Sequence, residues 1–292
     1  MSFDFSRRGF LAGLAAAAVG SPLSRVLAYE AEPVAGGVPV GLQLYSVRQH
    51  MPKDVPGTLA RIRAMGFREL EGGGDYGLGT EGFLAELKKA DLSVTSALAG
   101  YDAWQKDPAA VVAKAKAFGA RYTGLAWIPH KEAFDRDECL RAAGDFDKWG
   151  QAAKAGGLRF IYHIHGYEFQ PSPEGTLFDT LAKNCDPAHV FFEGDVFWMR
   201  RGGCDPVSLF ERYPKRFLTT HLKDIQKGIE ICKPDGTAPD ETSVPLGEGM
   251  MDWPGVLKAA EKCGVERHYI EDEHPNALAQ IPVSLRYLAS LR

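Results

Sequence analysis

The chain has 292 residues, of which 45% are hydrophobic, and 38 acidic against 34 basic residues give a net charge of −4. That hydrophobic fraction is ordinary for a globular protein with a sizeable core. The acidic balance, without a basic stripe, excludes the electrostatic attraction that drives non-specific binding to nucleic acid or anionic membranes.

In chain order, the first 28 residues read as an address. Ser6-Arg7-Arg8-Gly9-Phe10-Leu11 resembles the twin-arginine export motif, an apolar stretch follows from Leu11 to Val19, and Val26-Leu27-Ala28 offers cleavage-site residues. The apolar stretch is shorter than the about 20 residues that span a bilayer. Export to the periplasm or beyond is therefore expected, with no stable membrane association after cleavage. A linker is expected over 29–39 and a single domain over 40–292. Five cysteines (Cys139, Cys185, Cys204, Cys232, Cys263) form no Cys-x-x-Cys pair and read mainly as packing residues.

From there, strand-like and helix-like segments alternate. The expected strands are Val40–Val47, Arg68–Glu71, Ser93–Ala99, Tyr122–Ile128, Arg159–His165, Val190–Val196, Phe217–Lys223 and His268–Asp272. Between them, Asp54, Asp107 and Asp252 open helical patterns whose apolar residues share one face. Gly66, Gly119, Gly157 and Gly264 stand at four helix-to-strand junctions, where a glycine supplies the left-handed backbone that turns the chain. Eight strands each followed by a helix match a single-domain (β/α)8 TIM barrel. A doubly wound sheet is the alternative, but no glycine-rich phosphate fingerprint follows the first strand. The long irregular stretch from Gln226 to Met251 is expected to form a lid.

Four strands in the second half end in polar clusters: Phe160-Ile-Tyr-His-Ile-His-Gly-Tyr-Glu168, Val190-Phe-Phe-Glu-Gly-Asp195, Phe217-Leu-Thr-Thr-His-Leu-Lys-Asp224 and His268-Tyr-Ile-Glu-Asp-Glu-His274. Buried carboxylates and imidazoles are unfavourable unless paired or bound to a cation. Four strands carrying them at the C-terminal end, where barrel active sites lie, point to one shared metal site. Strand parity puts His163 with His165, Glu193 with Asp195, His221 with Lys223 and Glu271 with Glu273. Taken singly, each has a structural reading too: Lys223 and Asp224 can pair with each other, and Trp127, Phe197 and Trp198 can be core.

The series His-x-His-x-x-Glu-Phe, Asp-x-x-Trp, His-x-Lys-Asp, Gly-Glu-Gly and a late Glu resembles the xylose isomerase-like TIM-barrel superfamily. The nearest part of it is the sugar phosphate isomerase/epimerase group, whose first strand is similar to Gly41-Leu-Gln-Leu-Tyr-Ser-Val-Arg48. The resemblance implies a divalent metal held by a Glu, an Asp, a His and a second Glu. Asp195, His221 and Glu271 match three of these places. Glu168 takes the strand-five place because it keeps that ligand a carboxylate, with His163 and His165 as rivals. Three oxygen donors and one imidazole suit Mn²⁺ first, with Co²⁺, Fe²⁺, Mg²⁺ and Zn²⁺ as competitors.

On that reading the metal polarises a sugar carbonyl and side chains move the proton beside it. His163, His165, Glu168 and Glu271 are the candidates for proton transfer, and Lys223 for the developing oxyanion. Glu71 is expected to bind a sugar hydroxyl, and Trp198 to contact substrate. The leading function is a metal-dependent sugar isomerase/epimerase working through an enediolate. A lyase eliminating from 3-keto-glycosides or dehydrating keto-sugars is the second, a non-catalytic sugar-binding protein another, and an endonuclease is disfavoured by the acidic chain. The expected partner is a small-molecule sugar or glycoside, with a homodimer as the candidate assembly.

Overall fold

The computed structural model describes residues 32–291, so the expected export signal and the first residues of the expected linker lie outside the described residues. Eight apolar runs form eight parallel strands. They are β1 (Val38–Gln43), β2 (Glu69–Glu71), β3 (Ser93–Leu98) and β4 (Tyr122–Leu125). The second half adds β5 (Arg159–His163), β6 (Val190–Asp195), β7 (Phe217–Leu222) and β8 (Arg267–Ile270). Each pairs with its sequence neighbour, and β8 pairs with β1 through Tyr269 opposite Gly41, which closes the barrel. This is the expected (β/α)8 architecture.

The crossovers run through α1 (Val55–Ala64), α2 (Gly79–Ala90), α3 (Tyr101–Lys106), α4 (Pro108–Ala117) and α5 (Arg136–Ala155). They continue through α6 (Leu177–Asn184), α7 (Val196–Arg201), α8 (Pro206–Arg212), α9 (Trp253–Cys263) and α10 (Ala277–Ser290). Asp54, Asp107 and Asp252 cap α1, α4 and α9, each accepting from a backbone N–H three residues on. The four junction glycines take φ of 100°, 78°, 80° and 94°, the left-handed region their positions require.

The two ends of the barrel carry different chemistry. At the N-terminal end, Arg159 pairs with Glu266, which also accepts from Tyr122 Oη at 2.6 Å, and Arg267 pairs with Glu69 at 2.8 Å. Gly41 leaves room for the Tyr269 ring to cross the interior: a Cβ there would lie 2.8 Å from it. Tyr269 then reaches Thr95 on β3, oxygen to oxygen at 2.8 Å.

Two sequence expectations change. The first strand ends at Gln43 rather than Val47, because the Gln43 side chain accepts from Tyr45 N and turns the chain into a 3₁₀ helix over Leu44–Val47. Part of the expected linker is ordered as a hairpin, in which Val34 and Ala35 pair with Pro39 and Val38 across Gly36 and Gly37, both at positive φ.

The stretch 226–251 reaches over part of the barrel mouth. Its Gly236 packs so closely on Trp127 and Tyr167 that a Cβ would lie 2.6 Å and 2.9 Å from their rings. Its Asp240 is held by Arg48 at 2.5 Å. Asp224 anchors the far end. Its carboxylate accepts from the backbone N–H groups of Ile225, Gly247, Gly249 and Met251 and from Trp253 Nε1, at 2.8–3.2 Å. The Gly-Glu-Gly signature has its reason here: a Cβ on Gly249 would stand 2.1 Å from that carboxylate.

Asp224→Ala orphans five donors, four of them backbone, and is expected to destabilise the protein by at least about 3 kcal/mol in denaturant titration. Asp224→Asn, keeping one acceptor oxygen, should lose less. A second prediction concerns His268, fully buried with Nδ1 2.5 Å from Thr220 Oγ1. Burial pushes its pKa down to about 3. The folded state therefore keeps it neutral where the unfolded chain takes a proton. Its contribution is complete above the unfolded value of about 6.5 and is lost as pH falls toward 3, by up to about 1.4 kcal/mol per pH unit. His268→Asn should flatten the acid limb of a stability–pH curve.

Candidate metal centre

Strand alternation delivers one donor each from the ends of β5 to β8. His163 closes β5, Asp195 closes β6, His221 lies next to last in β7, and Glu271 follows β8. All four are buried and their donor atoms converge within 4.8 Å. His163 Nε2 lies 3.3 Å from Asp195 Oδ2, and His221 Nδ1 lies 3.6 Å from Asp195 Oδ2 and 3.1 Å from Glu271 Oε2. Those separations are what donors about 2.0–2.2 Å from a single ion span. The donor set therefore fits one divalent metal.

The charges support one another. Burial acts to raise Glu271, but His221 and Lys223 bring it down to about 2. Burial likewise opposes ionisation of Asp195, yet His163 and His221 hold it well below the usual carboxylate range. His221 is the converse: burial would discharge it, while Glu193, Glu271 and Glu71 hold it well above the usual imidazole range.

Glu168 is not in this group. It lies in a 3₁₀ turn over Tyr167–Phe169, fully buried, and accepts from Tyr162 Oη at 2.5 Å and from His165 N at 3.0 Å. Burial pushes its carboxyl up to about 7. Strand parity stops at His163, so the turn carries Glu168 away and leaves His163 in the strand-five place. The cluster is thus richer in nitrogen than the preferred expectation.

His165 follows a different course. Glu168 holds its backbone, and its ring packs against Tyr167, Trp198 and Trp127 at 5.1–5.6 Å between centroids. Among the described residues its Nδ1 has no hydrogen-bond partner. Burial and the charge on His163 keep it well below the usual imidazole range, hence neutral. It lines a cavity of about 450 Å³ that opens over the cluster.

Trp198 lines the same cavity, as do Trp127 and Tyr45, exposed by 39% and 52%. Phe197 is core. Lys223 does not pair with Asp224. It stands behind the wall, bonded to Glu273, 3.8 Å from Glu271, and 4.6 Å and 5.0 Å from the ring centroids of Phe197 and Trp198. Burial would discharge it, but Glu273, Glu271 and Asp195 hold it charged.

Glu71 does not face the cavity as a sugar-binding group would. Fully buried, it sits 2.6 Å from His221 Nε2 and accepts from Gln43 Nε2 at 2.6 Å. Glu71, Glu193 and His221 make a second grouping of donors one layer deeper. Sequence reasoning gave no role to Gln43 or Glu193, and none to Glu273, which lines the cavity. For the last two, the parity with Asp195 and Glu271 was the available signal. A larger hollow of about 640 Å³, lined by Ala97, Ala99, Ala110, Val111 and Phe118 among others, holds none of the cluster's donors.

No family model matches the chain. An inosose dehydratase of Lacticaseibacillus casei is 30% identical over 144 residues, 47% of each chain, and one of Clostridium beijerinckii is 27% identical over 158 residues. The matched segment spans about half the length of these curated relatives. Among solved structures, a sugar phosphate isomerase/epimerase from Parabacteroides distasonis superposes with a TM-score of 0.68 at 26% identity, covering 85% of this chain and 92% of that one. The IOLI protein with a bound zinc atom shares the fold at a TM-score of 0.65 and 14% identity, over 86% of this chain and 97% of its own. So does a xylose isomerase-like TIM barrel protein from Mycobacterium smegmatis in complex with magnesium, at 0.66 and 13%, over 88% and 98%. The closed eight-stranded barrel of this chain is similar in fold to these neighbours, xylose isomerase-like TIM-barrel and sugar phosphate isomerase/epimerase proteins.

Proposed function

We propose that the protein is a metal-dependent lyase that eliminates water or an alcohol from a keto-sugar, keto-cyclitol or keto-glycoside. The observation that carries this reading is a neutral, unpartnered imidazole, His165, on the wall of the cavity that opens over a four-donor cluster. The half-length similarity to inosose dehydratases supports elimination over isomerisation, the leading expectation from sequence.

The ligand set is His163, Asp195, His221 and Glu271. Two imidazoles and two carboxylates move the preference from Mn²⁺ toward Zn²⁺, with Mn²⁺, Co²⁺ and Fe²⁺ behind it. When bound, the ion supplies Lewis-acid polarisation of the substrate carbonyl. The chain's own groups do the rest. The His165 imidazole takes the proton from the carbon beside the carbonyl, and the C–H pair becomes the new C=C bond. The bond from the next carbon to its oxygen breaks, and that oxygen leaves with a proton as water or alcohol. The proton that His165 took passes to that leaving oxygen, so one imidazole serves first as base and then as acid, while Glu273, ionised beside Lys223, lines the cavity wall. Lys223 holds Glu273 and Glu271 in place from behind. Trp198 and the half-exposed Trp127 offer their faces to the sugar ring. The twin-arginine motif at Arg7-Arg8 supports a site of action outside the cytoplasm.

Elemental analysis after dialysis should find about one ion per chain in the wild type and background metal in His163→Ala and Asp195→Ala. Glu168→Gln should keep the ion, and its loss there would restore Glu168 as the strand-five ligand. For the reaction, the metal-loaded protein is incubated in D₂O with a keto-cyclitol and with a 3-keto-glycoside. Elimination releases water or aglycone and leaves an unsaturated ketone that absorbs in the ultraviolet. Deuterium uptake with every substituent retained would instead mark an isomerase or epimerase. His165→Asn should slow elimination by about 10²–10⁴-fold while the ion stays bound.

A further inference from the structure

We propose that Glu71 is a positioning residue that presents His221 to the metal; this rests on the ligand set proposed above. His221 has two ring nitrogens in two environments. Nδ1 faces Asp195 and Glu271 in the upper cluster, at 3.6 Å and 3.1 Å. Nε2 faces Glu71 Oε1 at 2.6 Å and Glu193 Oε2 at 3.1 Å, one layer deeper. A neutral imidazole carries one proton, and the partner of one nitrogen decides whether the other is free to bind.

The direction of the deeper bond follows from the chain beside it. Tyr45 N donates to Gln43 Oε1 at 3.1 Å, which fixes the orientation of the Gln43 amide. Its Nε2 therefore points its hydrogens at Glu71 Oε1, 2.6 Å away. Gln43 and Glu71 lie opposite each other in paired strands β1 and β2, so the donor is held by the sheet itself. Glu71 Oε1 is thus an acceptor. His221 Nε2–H donates to it, and Nδ1 keeps the lone pair that faces the cluster. A carboxylate behind a metal-binding histidine fixes its tautomer and ring orientation and raises its basicity.

A second ion among Glu71, Glu193 and His221 is the competing reading. The spacing decides against it. At 2.6 Å, His221 Nε2 and Glu71 Oε1 stand closer than two donors to one ion about 2.0–2.2 Å away would, whereas the upper cluster's pairs at 3.1–3.6 Å leave room for one. Ions on both nitrogens would also require the neutral imidazole to give up its one remaining ring proton.

The test measures metal affinity and the state of the imidazole, not turnover. Zn²⁺ is titrated into the metal-free full chain in competition with a chelator, for the wild type, Glu71→Gln and Glu71→Leu. We expect one site per chain. Glu71→Leu should weaken binding by about 10–100-fold, and Glu71→Gln, which keeps an acceptor oxygen, by less. In the zinc-loaded protein, ¹⁵N resonances of His221 should report the proton on Nε2 and the ion on Nδ1 in the wild type, and a mixture of the two arrangements in Glu71→Leu. Two ions per wild-type chain overturn the proposal, as does Glu71→Leu binding within twofold of wild type, or a zinc-loaded wild type that keeps its proton on Nδ1. If Glu71→Leu does not fold, Glu71→Gln and the wild-type ¹⁵N spectrum decide. A wild type that binds one ion but eliminates nothing ends the lyase reading and leaves the role of Glu71 standing. A wild type that binds no ion overturns both.

Discussion

A single buried imidazole holds four carboxylates together inside this barrel. Glu71, Glu193, Asp195 and Glu271 all approach His221, and all are removed from water. Taking a carboxylate into a low-dielectric interior is strongly unfavourable unless opposite charge lies close by. His221 supplies that charge, which is why it is held well above the usual imidazole range. The compensation is not shared equally. Burial and the neighbouring Glu193 raise Glu71 to about 7, while Glu193 itself is held down. A divalent cation in the upper cluster would relieve the same imbalance from the other side.

The rest of the barrel keeps this arrangement rigid and open at one end. Ion pairs at the N-terminal end of the strands, Arg159–Glu266 and Arg267–Glu69, close the bottom without touching the site. At the C-terminal end, Asp224 gathers five donors and fixes the return of the 226–251 stretch. That stretch carries Gly236 onto Trp127, and so shapes one wall of the cavity. The ion pairs thus close one end of the strands, while the donor cluster opens at the other, where active sites of this architecture lie.

Much of the fold was legible because its signals are local. The capping aspartates and the junction glycines Gly66, Gly119, Gly157 and Gly264 act within a turn of their own position, and eight repetitions of strand and helix leave few topologies. The site was legible in part, for the same reason. Parity along a strand predicts which side chains share a side, but it gives His163 and His165 the same side and does not choose between them. It fails where the strand stops. Glu168 lies five residues beyond His163, past a turn that strand periodicity does not describe, and so bonds Tyr162 and His165 N instead. Lys223 and Asp224 are sequence neighbours that look like a pair, yet consecutive residues of an extended chain point to opposite sides.

The sequence by itself determined the barrel, the end of it that carries chemistry, and three of the four donors that converge there. Periodicity, caps and turn residues, all near-neighbour effects, are enough for the barrel and its polar end, and the resemblance of the motifs implied the three donors. Only the tertiary structure decided which strand-five residue meets the others, and which carboxylate stands behind His221. Glu71 and His221 are separated by 150 positions and lie on β2 and β7, so no spacing in the chain records that they touch. Closure of the barrel brings them to 2.6 Å, and in a dry interior that contact sets where the proton sits.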